Sequence, residues 1–318
     1  MTHALHFRPK FFSALLAASL AFSAAHAQTT APASTVPPPA ASPLTPTTPV
    51  GIVEQPCPSG STAVSPAVLA FARSFVRPGR LDRSGMATYA KEAADRAALD
   101  TWRQKNDWAD LCHYRVANDE AQKDGPVRVV FLGDSITELW KVADPSLFTG
   151  GVVDRGVSGQ TSAQLVLRFQ QDVVALHPKA VHILVGTNDV AGNTGPERAE
   201  DLKNNIHAMV AMAKANHIRV ILGSIPPAGG FPWRPGIDAK AQIPALNAWL
   251  ATYAKAEGAT FVNYYGALAG PDGAMKPDIS RDGVHPLIPG YALMECALSR
   301  ATAHSRITLA ATARCGGG

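Results

Sequence analysis

Five strand-like runs alternate with helical patterns along the second half of the chain, and this alternation restricts the fold more than any other feature of the sequence. Each run is short and rich in aliphatic and β-branched residues, which is typical of buried strands. The runs occupy residues 127–132, 151–154, 180–185, 219–224 and 260–263. Apolar residues at helical spacing lie between them, as at Leu202, Ile206 and Met209. This order predicts a parallel sheet that is covered by helices on both faces.

Residues with useful chemistry follow the carboxyl ends of these runs. Ser135 comes after the first run, Gly156 after the second and Asn188 after the third, while His285 follows the last one. Because ligands bind outside the carboxyl ends of parallel strands, we expect these residues to lie at one edge of the sheet. Ser135 would also occupy the first turn of a helix, where free backbone N–H groups can bind an anion. Its simpler role there is to cap the helix.

Four short blocks contain these residues and occur in a fixed order. They are Gly-Asp-Ser at 133–135, Asp-Arg-Gly-Val-Ser-Gly-Gln at 154–160, Gly-Thr-Asn-Asp at 186–189 and Asp-Gly-Val-His at 282–285. Together the blocks resemble the SGNH, or GDSL-type, hydrolases over roughly residues 127–298. This resemblance implies a flavodoxin-like, three-layer α/β/α fold and the hydrolysis of a carboxylic ester. It implies neither a cofactor nor a metal ion.

The resemblance also assigns a role to the residues of each block. Ser135 would be the nucleophile, and His285 would be the general base that takes its proton. Asp282 would hold the imidazole of His285. The backbone N–H groups of Ser135 and Gly156, with the side-chain amide of Asn188, would bind the oxyanion. Without this pattern, Asp282 would be an ordinary turn residue and His285 a loop histidine.

Three aromatic residues are candidates for contact with the substrate. Phe231 and Trp233 lie in the long connection after the fourth strand, at the same edge of the sheet as Ser135. Trp140 lies in the helix that follows Ser135. Such rings can stack on a sugar or line a site for an acyl chain. The alternative for each of them is that the ring only packs against the protein.

The residues before the first strand divide into three segments. Residues 1–27 combine a basic start, an apolar run and small residues up to Ala27, which is the pattern of a secretory signal peptide. Residues 28–66 are dominated by Pro, Ala, Thr and Ser, and this composition predicts a disordered tether. Residues 67–123 carry amphipathic helical patterns and predict a helical extension. Residues 124–318 would then form the catalytic domain.

Hydropathy and charge favour an exported protein that acts on a small molecule. The apolar run of the signal is shorter than the ~20 residues of a membrane-spanning helix. We therefore expect no transmembrane anchor, and a location in the periplasm or outside the cell. The formal net charge of +4 is not gathered into a basic stripe, which argues against a nucleic-acid partner.

Four cysteines, at positions 57, 112, 296 and 315, are expected to form two disulfides in an exported chain. Four cysteines allow three pairings. The pairing of Cys57 with Cys112 and of Cys296 with Cys315 closes the shorter loops and is the first to consider. The alternative for Cys296, which lies in an apolar helix, is a buried thiol.

These features together predict an exported serine esterase. We expect a short-chain acyl ester, such as an acetyl ester on a carbohydrate, because the chain has no long apolar segment that could form a lid. The first alternative is a lipid or lysophospholipid acylhydrolase, since the SGNH family includes both kinds of enzyme. The second is a non-catalytic, glycan-binding envelope protein that keeps the fold. The complete set of Ser135, Asp282 and His285 disfavours this second alternative.

Export gives a prediction that intact-mass measurement can check. The protein released by its native host should begin near Gln28, because signal peptidase cleaves after small residues such as Ala27. A released protein that retains Met1 would contradict the signal-peptide interpretation.

Overall fold

The computed structural model describes residues 51–58, 65–82, 99–303 and 315. The predicted signal peptide and most of the predicted tether lie outside these ranges. The strands are β1 Val129–Gly133, β2 Val152–Gly156, β3 Ala180–Leu184, β4 Arg219–Gly223 and β5 Thr260–Val262. The helices are α1 Pro66–Val76, α2 Arg115–Lys123, α3 Ser135–Ala143, α4 Ser162–Asp172, α5 Thr187–Val190, α6 Ala199–Ala215, α7 Ala239–Glu257, α8 Tyr264–Leu268 and α9 Ile288–Thr302. Residues 99–106 are also helical, and Val174–Leu176 form a 3₁₀ turn.

The five strands form one parallel sheet in the order β2-β1-β3-β4-β5. Each strand coincides with a run predicted from the sequence to within about two residues. The register places the last residue of β1, Gly133, level with Gly156 of β2 and Leu184 of β3. The loops that leave these three adjacent strands therefore start side by side at one edge of the sheet.

Alternate residues of the sheet face two separate hydrophobic layers, as the two-residue period of a strand requires. Val130 and Leu132 point into the layer that contains α4, α6 and α7. Their neighbours Val129 and Phe131 point into the layer that contains α1, α3, α8 and α9. The predicted three-layer α/β/α architecture is confirmed by this arrangement.

The segment before β1 packs against the domain, and two of its helices contribute to this packing. Helix α1 packs on α3 and belongs to the same hydrophobic layer. Helix α2 lies against α4, where Asn118 donates a hydrogen bond to the buried carboxylate of Asp172 (2.8 Å). A disulfide between Cys57 and Cys112 joins two parts of this segment, and a second disulfide joins Cys296 to Cys315. The pairing that closes the shorter loops is thus the one present, and Cys296 is not a free thiol.

Helix α6 begins at Ala199, although proline is favoured in the first turn of a helix and Pro196 lies just before it. The side chains of Arg198 and Asp201 bond to each other and cap the start of the helix, which leaves Pro196 in the preceding loop. None of the helices in the described part of the chain is long and apolar enough to cross a membrane.

Candidate active site

Ser135 lies where β1 passes directly into α3. The side chain of Asp134 caps this helix by accepting a hydrogen bond from the backbone N–H of Ile136 (2.9 Å). Because Asp134 performs the capping, the hydroxyl of Ser135 is available for other contacts. Ser135 is the first residue of the helix, so its own backbone N–H has no intrahelical acceptor. Its side chain and its N–H both lie at the carboxyl edge of the sheet.

The loop before α9 brings His285 and Asp282 to this serine. The Oγ atom of Ser135 lies 2.8 Å from Nε2 of His285, across 150 positions of sequence. Nδ1 of His285 lies 2.7 Å from Oδ2 of Asp282. The other carboxylate oxygen of Asp282 accepts the backbone N–H groups of Val284 (3.0 Å) and His285 (2.8 Å). These bonds close a tight turn that fixes the carboxylate behind the imidazole, and both side chains are almost fully buried.

Burial and charge act in opposite directions on this pair. Burial lowers the pKa of His285, but the carboxylate of Asp282, followed by those of Asp134 and Glu138, raises it. The net result is a pKa above the ordinary histidine value of 6.5. Burial raises the pKa of Asp282, whereas the charge and hydrogen bonds of His285 lower it below its usual range. The pair therefore stabilises an imidazolium next to Ser135, which is the species formed when His285 takes a proton.

Gly156 does not have the free backbone N–H that the sequence interpretation gave it. This N–H donates to Oδ1 of Asp154 (2.8 Å), so its assignment as an oxyanion donor is wrong. The glycine is needed for packing instead, because a Cβ atom there would lie 2.2 Å from the backbone nitrogen of Glu138. Gly156 thus lets β2 and α3 approach each other closely.

The N–H that is free in this loop belongs to Gly159. Its φ of +81° favours glycine. Every other backbone N–H in residues 156–161 donates to an acceptor within the protein. Gly156 donates to Asp154, Val157 to Gly133, Ser158 to Glu138, Gln160 to Val157, and Thr161 to Gln164. Within this loop, only Gly159 can supply a backbone donor to a ligand. Gly159 is the second glycine of the same sequence block, but spacing alone could not tell which of Gly156 and Gly159 has the free N–H.

Asn188 lies between the two loops that carry Ser135 and Gly159. Its Nδ2 atom donates to the backbone carbonyl of Gln160 (2.9 Å) and to Oδ2 of Asp134 (3.2 Å). Its Oδ1 atom accepts a hydrogen bond from Nδ2 of Asn193 (2.7 Å). The amide is therefore held with its N–H groups toward the loops of Ser135 and Gly159.

Of the three aromatic candidates, only Trp233 borders the site. Its half-buried ring lies 6.3 Å from the imidazole of His285, and its Nε1 atom donates to Oδ1 of Asn193 (3.0 Å). The prediction that Trp140 contacts substrate is wrong, because its ring is fully buried and bonds to Glu295 inside the protein. It is wrong for Phe231 as well, since that ring is buried and packs against Trp233.

A shallow surface cavity of about 270 Å³ opens beside the Trp233 loop rather than at Ser135. It is lined by Ala191, Gly192, Gly195, Pro196, Arg234 and Ile237. Arg234 borders it and donates a weak hydrogen bond to the carbonyl of Gly192 (3.4 Å). The lining residues come from the same two loops as Asn193 and Trp233.

Residues 131–293 match the GDSL-like lipase/acylhydrolase family, and the chain belongs to this family of ester hydrolases. A Bacteroides fragilis protein named as an acylhydrolase is 42% identical, with a TM-score of 0.60, over 63% of this chain and 98% of its own. A GDSL-like lipase from Bacteroides thetaiotaomicron is 43% identical, with a TM-score of 0.59, over 63% of this chain and 100% of its own. No curated protein matches the chain. The resemblance inferred from the four blocks is thereby confirmed.

The charge balance at His285 gives a prediction that NMR can test without any substrate. In protein with isotope-labelled histidine, we expect His285 to titrate above ~6.5, the ordinary histidine value. Asp282→Asn removes the main charge that raises this pKa and leaves the burial, so the pKa should fall below that of the parent protein. His285→Gln identifies the resonance. A parent value at or below ~6.5, or no fall in Asp282→Asn, would contradict the assigned electrostatics.

Proposed function

We propose that the protein is an exported serine esterase that works through an acyl-Ser135 intermediate. The observation that carries the proposal is the buried hydrogen-bonded chain from Ser135 through His285 to Asp282. As the Oγ atom of Ser135 attacks the ester carbonyl carbon, Nε2 of His285 accepts its proton. The same proton then passes to the departing alcohol. Water, deprotonated by His285, attacks the acyl carbon and releases the acid and free Ser135.

The negative charge on the carbonyl oxygen needs donors that are already in place. We assign the backbone N–H groups of Ser135 and Gly159 and the side-chain amide of Asn188 to this role. Gly159 replaces Gly156 in the assignment. For Asn188, the short bond to Gln160 holds the amide, and the longer bond to Asp134 is the one that a substrate oxyanion would replace.

For the substrate, a short acyl group on a carbohydrate remains our first proposal. The half-buried face of Trp233 next to His285 offers a flat apolar surface of the kind on which sugar rings stack. The hydrogen bond from its indole N–H to Asn193 holds the ring in one orientation. The second proposal, a lipid acylhydrolase, is favoured by the name of the 43% identical Bacteroides thetaiotaomicron lipase. The glycan-binding alternative without catalysis is disfavoured by the complete hydrogen-bonded chain.

Export is proposed on two grounds. One is the signal-like pattern of residues 1–27. The other is the pair of disulfides, since such bonds persist in oxidising compartments and are rare in the cytosol. A location in the periplasm or outside the cell fits both.

The assigned roles predict unequal losses of aryl acetate hydrolysis. Ser135→Ala and His285→Ala should each remove nearly all turnover, because the nucleophile and the base act as a unit. Asn188→Ala deletes one oxyanion donor and should lower kcat on the order of 10²–10³-fold with a smaller change in KM. Ser146→Ala, in an exposed loop, is the control and should keep parental kinetics. Full turnover by correctly folded Asn188→Ala would contradict the oxyanion assignment.

Substrate class is tested by comparing aryl esters of increasing acyl length with an acetylated oligosaccharide. We expect kcat/KM to fall steeply beyond short acyl groups. Trp233→Ala should lower kcat/KM more for the acetylated sugar than for the aryl acetate, because only the sugar would use the indole face. A maximum at long acyl chains would favour the lipid acylhydrolase instead.

A further inference from the structure

Helix α1 lies outside the part of the chain that matches the family, yet it reaches the loop that carries His285. The centroid of the Phe75 ring, in this helix, lies 5.9 Å from that of the His285 imidazole. The two rings meet edge to face, with an angle of 73° between their planes. The guanidinium of Arg281 donates to the backbone carbonyl of Phe75 (3.0 Å) and to that of Arg77, at the end of the helix. Arg281 directly precedes Asp282. One helix of the extension thus contacts both the ring of His285 and the side chain of Arg281 in the same loop.

The loop 280–286 is also closed by bonds of its own. The hydroxyl of Ser280 donates to the carbonyl of His285 (2.8 Å) and accepts the N–H of Gly283 (3.0 Å), and a β-bridge joins Ser280 to Pro286. The contacts with α1 anchor this loop from outside. The imidazole of His285 has two aromatic neighbours, with ring centroids 5.9 Å away for Phe75 and 6.3 Å away for Trp233. Phe75 is only 2% exposed, so this neighbour is itself fixed in the core.

The rest of the extension attaches to the loop of Gly159 in a similar way. Gln160 donates to the carbonyl of Ala109 (2.8 Å), and Gln164 donates to the carbonyl of Trp108 (2.7 Å). The hydroxyl of Tyr114 donates to the carbonyl of Gly156. These contacts come from the segment that the Cys57–Cys112 disulfide holds. The extension is therefore bonded to two of the loops at the catalytic edge, and α1 is the part that touches the base.

We propose that α1 is a positioning element of the active site, in which Phe75 and the carbonyls of Phe75 and Arg77 hold the loop 280–286 so that His285 points at Ser135. This inference rests on the proposed function, because it concerns the geometry of the same base. Phe75 touches no reacting atom and acts only through His285. A displacement of about 1 Å between base and nucleophile can cost 10²-fold in rate, so an apolar ring at this place can matter as much as a polar group.

The test compares two phenylalanines of α1. Phe75→Ala removes the ring against His285, and Phe71→Ala removes a buried ring one turn earlier in the same helix. Both variants should melt at a lower temperature than the parent. Only Phe75→Ala should lower kcat for aryl acetate, on the order of 10–10²-fold with little change in KM. Phe75→Leu, which keeps apolar volume at the site, should recover most of the loss, and Arg281→Met should reproduce part of it.

A second readout does not depend on turnover. The Nδ1–H proton of His285, which bonds to Asp282, should give a downfield NMR signal in the parent and in Phe71→Ala. In Phe75→Ala this signal should shift or be lost to exchange with water. All variants keep the acidic groups that raise the pKa of His285. These are Asp282 on the same loop, and Asp134 and Glu138 at the start of α3.

The outcomes separate the two proposals. If the parent neither hydrolyses esters nor reacts at Ser135, the proposed function fails, and the NMR comparison still decides whether α1 positions His285. If the parent is active but Phe75→Ala matches Phe71→Ala in kcat and in the His285 signal, the positioning role of α1 is overturned. If Phe75→Ala does not fold, parental kinetics and a parental His285 signal in Arg281→Met would overturn it as well.

Discussion

A single buried hydrogen bond, between the hydroxyl of Ser135 and Nε2 of His285, joins the first strand of the sheet to the loop before the last helix. For this bond to form, β1 must end at the same edge to which the chain returns 150 residues later. The parallel sheet meets that condition, because every strand delivers its carboxyl end to one side. The polar residues of the site follow from the same geometry: Asp282 supports His285, and Asn188 lies between the loops that leave β1 and β2.

The elements that the sequence predicted well are those governed by local patterns. The strands were predictable because each is a short apolar run, and both faces of the sheet are covered. That Ser135, Asn188, Asp282 and His285 meet at one edge of the sheet was predictable, because each follows a strand end or belongs to a block with fixed spacing. Their chemical environment also follows from short-range geometry, since Asp282 bonds to backbone N–H groups two and three positions ahead.

The errors arose where function depends on contacts between distant segments. Gly156 and Gly159 both lie in one block, and only the three-dimensional partners of their N–H groups distinguish them. Trp140 has the spacing of a residue near Ser135, but its side of α3 faces the core. Phe231 and Trp233 lie two positions apart on one loop. The first ring is buried and the second is half-exposed because of the way the whole loop packs against the domain. The role of α1 was equally hidden, because Phe75 is 210 positions from His285 in the chain and no periodicity links them.

Covalent trapping can show whether Ser135 is the nucleophile of an ester hydrolase. The protein would be treated with an aryl fluorophosphonate, which reacts with activated serines, and the adduct located by intact and peptide mass spectrometry. We expect one adduct per chain, on the peptide that contains Ser135. It should be absent in Ser135→Ala and form much more slowly in His285→Gln. Labelling at another residue, or ester hydrolysis that continues in Ser135→Ala, would contradict it.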